Sequence, residues 1–173
     1  MTGALWIVAL ALGSAAQLPF EVTRQDSTYQ PWGEVMPIFV NNLAVGLALY
    51  SGVISFGAIS IAMTFFAGIY IGSIVGLAVD AWGLGGAFDA FWPFLLFEVA
   101  GFMAFTFGGL LPVFRVGRLL QSSSAPSSRT VSGGADIAYR AAAQVAASLP
   151  FAGVGAVLLA GGAVLEVAGG LPR

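Results

Sequence analysis

From Ile38 to Val79 the chain contains no charged residue. Built as one helix at 1.5 Å per residue, that stretch would run about 63 Å, roughly twice the hydrocarbon thickness of a bilayer. It must fold back on itself. The small, turn-competent segment from Ser51-Gly52 to Ser60, with Gly57 inside it, is where it can do so. Two helices follow, about 38–56 and 58–79, joined by a very short hairpin.

Composition says what solvent those helices meet. The chain of 173 residues is 58% hydrophobic and only 8% charged, against roughly 25% charged in soluble domains. So few charges cannot cover the wet surface of a small soluble domain. The expectation is an all-α, polytopic transmembrane helical bundle in the cell membrane, with lipid as the partner of its outer surface.

Three further spans flank the hairpin. Residues 3–20 are apolar and uncharged, about the length of a span. A secretory signal would carry a basic segment ahead of its apolar run, and nothing before Arg24 is basic, so this is expected to be a retained first helix. Residues 21–37 are polar and interrupted by Pro31 and Pro37, a loop outside the hydrocarbon with Tyr29 and Trp32 as interface anchors. Asp80 to Ala90 (DAWGLGGAFDA) is a Gly-rich connection, and 91–114 is the fourth span, interrupted by Glu98. Residues 115–135, with Arg115, Arg118, Arg129 and the run QSSSAPSSRTVSGG, form a flexible linker. Asp136 to Ser148 can be helical, and 149–171 is the fifth span. The whole of 1–173 is then one transmembrane domain. Four of the six arginines lie between spans four and five. By the positive-inside rule that segment and the N-terminus are cytoplasmic, while 21–37, 80–90 and the C-terminus are outside.

Absent residue types exclude whole classes of chemistry. There is no Cys, His or Lys. The usual zinc, copper and haem ligand sets, the Cys–His and Ser–His–Asp nucleophile systems, and lysine Schiff bases cannot be assembled from the chain. Asp80, Asp89 and Asp136 all sit at the edges of apolar runs, so a pair of facing intramembrane aspartates is excluded too. The chain is expected not to be an enzyme and to hold no metal or cofactor. Its net charge of −2, with arginine as the sole basic residue, argues against a nucleic-acid partner.

Gly68, Gly72 and Gly76 repeat every four residues and share one helix face. Such a ridge lets another helix approach closely, either within the chain or from a second copy or another membrane protein. Four polar residues also stand out: Asn41 and Asn42 in span two, Glu98 in span four and Glu166 in span five. Under the topology above all four lie toward the outer leaflet, where they can form one cluster. A carboxyl group in hydrocarbon is costly and must be neutral, hydrogen-bonded or facing water. Interhelical hydrogen bonding, a proton- or cation-sensitive site and a contact to a partner helix each satisfy that requirement.

The run IFVNNLAVGLALYSGVISFG, with Asn41, Asn42, Gly52 and Gly57, resembles the start of the conserved region of the stage II sporulation protein M family. FFAGIYIG keeps that family's Gly68 and Gly72, with Ala67 in place of Asn. FWPFLLFEVAGFMAFTFG keeps Pro93, Glu98 and Gly108, with Phe94 and Leu95 in place of His-Gly. Glu166 and Pro172 look like the family's closing pair. The resemblance covers roughly 38–172 and implies a non-enzymatic membrane scaffold. In spore formers such proteins hold cell-wall hydrolases at the engulfing membrane, and the family also occurs in prokaryotes that never sporulate. A scaffold or subunit of a larger membrane complex is the first expectation. A small transporter or permease subunit with Glu98 on a proton or ion path is the alternative.

Overall fold

The computed structural model describes residues 2–16, 18, 32–92, 94–122 and 134–169. Among the described residues five α-helices make up the bundle: α1 (Thr2–Ala16), α2 (Val35–Tyr50), α3 (Ala58–Phe91), α4 (Phe94–Ser122) and α5 (Gly134–Gly169). Four helical segments, Trp32–Val53, Ala58–Phe91, Phe94–Phe114 and Ala142–Gly169, are long and apolar enough to cross a membrane. The protein is membrane-embedded and all-α. Helix α1 is apolar but only 15 residues long, about 22 Å at 1.5 Å per residue. The rest of the first expected span (17 and 19–20) lies outside the described residues, as do the loop to Pro31, Pro93, the linker 123–133 and Pro172.

The hairpin forms where the sequence permits it. Helix α2 closes in a single 3-10 turn, Ser51–Val53. The amide of Gly57 then donates to the carbonyl of Gly52 at 2.7 Å, and Gly57 adopts a left-handed φ of 85° to start α3. Helix α2 begins earlier than expected. It takes in Pro37 at its third residue, where a missing backbone N–H costs no intrahelical bond.

Two expected connections prove helical instead. Residues 80–90 continue α3 to Phe91, and Gly83 alone breaks the backbone, at φ 72° and ψ 168°. Glycine is a poor helix former. Beside the hydrocarbon, however, an unpaired backbone amide is costlier than a weak propensity, so helical hydrogen bonding prevails on both sides of the break. Likewise α4 runs past Arg115 to Ser122, and residues 136–148 join the final span in one helix of 36 residues that carries Pro150 within it.

Contacts fix the directions. Gly68, Gly72 and Gly76 lie against Ala9, Leu10 and Ser14, so α1 runs parallel to α3. Asn42 meets Glu98 and Gly46 meets Phe105, so α2 is parallel to α4. Glu98 faces Gly162 while Gly108 faces Phe151, so α5 is antiparallel to α4. The core gathers Trp6, Leu49, Ala67, Phe102, Phe105 and Leu159. Trp6 stacks on Phe102 at 6.2 Å and 5°. The Phe105 ring occupies the space that Gly46 of α2 and Gly155 of α5 leave open; a Cβ on either glycine would lie 2.6 Å from it.

A seam of hydroxyl groups crosses this core. Trp6 Nε1 donates to Thr106 Oγ1 at 3.3 Å, and Thr106 and Thr64 hydroxyls sit 3.2 Å apart. Thr106 donates back to Phe102 O at 2.9 Å and Thr64 to Ser60 O at 2.7 Å. Ser60 in turn donates to Leu49 O on α2. Each hydroxyl has one proton, so the Thr64–Thr106 contact competes with these back-bonds. Four helices are thereby tied through groups that hydrocarbon could not satisfy.

A candidate polar site between α2, α4 and α5

Glu98 occupies the second turn of α4, and three helices shape its surroundings. On one side the Asn42 amide of α2 donates to Glu98 Oε1. On the other, α5 places Gly162 against the side chain: a Cβ at 162 would lie 3.1 Å from Glu98 Cγ. Glu166 stands one turn beyond Gly162 on the same face of α5. Both acids are partly buried. Three of the four polar residues singled out in the sequence therefore gather at one end of the bundle.

The fourth is Asn41. It is exposed, and with Asn42 and Glu98 it borders a cleft between α2, α3 and α4 with a volume of about 420 Å³. The rest of the cleft wall is apolar and aromatic, with Phe66, Tyr70, Phe91, Phe94 and Phe102 contributing rings. Among the described residues no group of three or more Asp or Glu side chains could hold a metal ion.

The glycines fall into distinct positions. Gly68, Gly72 and Gly76 are covered by α1 within the chain. Gly52 and Gly57 close the hairpin, and Gly108 admits Tyr50 and Phe151, each about as near as a Cβ allows. Sequence reasoning missed that this stripe begins earlier. Ser60 and Thr64 precede Gly68 at the same spacing of four and are fully buried, so counting small residues instead of glycines alone would have found the hydroxyl seam. The aromatic wall had no sequence signal, because its rings come from residues as far apart as Phe66 and Phe102 and are scattered among many similar ones.

Compared with known proteins, the chain matches no family model, no curated protein and no solved structure.

Proposed function

We propose that the chain is a non-enzymatic scaffold or subunit of a larger membrane complex, in keeping with its resemblance to the stage II sporulation protein M family. One observation carries this: Glu98, the acid deepest in α4, is hydrogen-bonded to Asn42 and packed on Gly162. An acid held this way joins helices, because its carboxyl group ties α4 to α2 while its side chain packs on α5. Partners would be other membrane proteins and the bilayer. Self-association through Gly68, Gly72 and Gly76 would require displacing α1 from that ridge. The arginine distribution supports an orientation with the N-terminus and the α4–α5 connection cytoplasmic and the C-terminus outside.

A transport role has one observation in its favour, that Glu98 also borders the cleft. The two readings part at Glu98→Gln. A scaffold keeps its fold and its co-purifying partners from native membrane when the amide replaces the acid. If the purified protein in sealed vesicles gave a pH- or ion-driven flux that Glu98→Gln removed, the scaffold reading would fail.

A further inference from the structure

The cleft between α2, α3 and α4 is built like a ligand site. Its volume of about 420 Å³ falls within the roughly 300–1,000 Å³ of small-molecule sites. Its walls are apolar along most of their length, from Met63 to Val75 on α3 and from Phe94 to Phe102 on α4. Polar groups converge only where Asn41, Asn42 and Glu98 meet. A long apolar wall with a few polar groups at one place matches an amphiphile, with its chain along the wall and its head at the polar cluster.

Charge decides which head. None of the described residues lining the cleft is basic. The acidic group there is the Glu98 carboxyl, and a second acid, Glu166, stands on α5 one turn beyond Gly162, which packs on Glu98. An anionic head would meet an acid and no counter-charge. Asn42 engages Glu98 Oε1, and a carboxylate has acceptor capacity for several further donors. Phe94 and Tyr70 line the cleft with aromatic rings, groups of the kind that attract organic cations in a desolvated setting. We infer that this cleft binds a hydrophobic ammonium ion, its head at Asn42 and Glu98 and its apolar part along the aromatic wall. The site does not depend on whether the chain is a scaffold or a transporter, since binding is read without flux.

The test uses the full chain in uncharged maltoside micelles, with radiolabelled dodecylammonium, whose head carries three N–H donors, as probe and dodecyl sulfate and dodecanol as same-chain controls. Saturable binding of one probe per chain is expected, with no saturable binding of the sulfate. Dodecanol should bind about tenfold or more weakly, the equivalent of one charge-assisted interaction. Glu98→Gln should weaken the probe by a similar factor. Ile74→Trp, which puts bulk into the wall and leaves the polar cluster intact, should abolish saturable binding without shifting the elution volume. This second variant decides the matter should Glu98→Gln fail to fold. Retention no better than in empty micelles would overturn the site. So would equal binding of dodecyl sulfate, or unchanged binding by Ile74→Trp.

Discussion

The Ser73 hydroxyl donates to the backbone carbonyl of Gly13 at 2.9 Å, a side-chain bond from α3 to the main chain of α1. It forms because Gly72 and Gly76 bring α3 against the α1 backbone at Leu10 and Ser14. In lipid, where apolar surface gives no preference for protein over solvent, such close packing and a satisfied hydroxyl supply the association.

The chain has no cysteine, which makes this docking directly measurable. A Cβ at residue 76 would lie 3.4 Å from the Ser14 Cβ, just short of the roughly 3.5–4.5 Å range of disulfides. The double variant Ser14→Cys, Gly76→Cys should therefore oxidise within one chain. Both thiols should accept a maleimide–polyethylene glycol tag when reduced and neither after oxidation. Oxidised dimers instead would mean that the glycine ridge faces a second copy and not α1.

The hydroxyl seam predicts a graded loss of stability. Thr106→Val removes the acceptor for Trp6 Nε1 and the contact with Thr64 while nearly keeping shape. Interhelical hydrogen bonds in membrane proteins are worth about 0.6 kcal/mol on average and up to about 1.7. Thr106→Val should cost toward the upper figure, because a buried indole N–H loses its partner. Unfolding in mixed micelles of increasing dodecyl sulfate content measures it, and an unchanged midpoint would argue that the seam contributes nothing.

At the polar site the same logic separates charge from hydrogen bonding. In Glu98→Gln the new amide oxygen can still accept from Asn42, so stability should stay within about 0.5 kcal/mol of the parent. In Glu98→Ala that acceptor is gone and space opens beside Gly162, with an expected loss of about 1–2 kcal/mol. Asn42→Leu should resemble Glu98→Ala, and the double variant should lose less than the sum, because both changes break one bond. Strict additivity would show that Asn42 and Glu98 do not interact.

What was legible in the sequence followed from solvation. The uncharged run 38–79 required a hairpin, and the small residues at Gly52 and Gly57 located it to within a few positions. Asn42, Glu98 and Glu166 could be placed together because lipid penalises each of them alone. Other features were not legible because they depend on competition between neighbours. Residues 80–90 look like a loop by glycine content, yet only Gly83 leaves the helix. Helix α1 could be recognised as apolar, but that it would cover Gly68, Gly72 and Gly76 depended on which surface fits the ridge best, a tertiary fact with no local signature.

Gly83 offers a test of backbone geometry free of packing. Its φ of 72° and ψ of 168° lie in a region essentially reserved for glycine, and nothing lies within 4 Å of where a Cβ would sit. Gly83→Ala should therefore cost about 1–3 kcal/mol through backbone strain alone. The alternative for the chain is to straighten α3 through residue 83, which would swing Trp92, stacked on Phe88 at 5.2 Å, to a new position. A change in tryptophan fluorescence with little loss of stability would indicate straightening.

The hairpin contains two adjacent left-handed residues of opposite character. Phe56 has φ 50° and is 70% exposed, whereas Gly57 has φ 85° and is buried. A left-handed conformation costs a residue with a Cβ roughly 1–2 kcal/mol, and exposure leaves Phe56 few intrachain contacts to set against that. Phe56→Gly should thus be neutral or mildly stabilising, despite glycine's larger loss of chain entropy on folding. Gly57→Ala has no such latitude. Its Cβ would lie 2.5 Å from Val113 Cγ2 and 2.9 Å from Leu110 Cδ2, so strain and overpacking act together, with a combined loss of about 2–4 kcal/mol. The two variants should move the unfolding midpoint in opposite directions, or Phe56→Gly not at all. A large loss in Phe56→Gly would mean that the exposed ring packs against something outside the chain, such as the lipid interface or a partner helix.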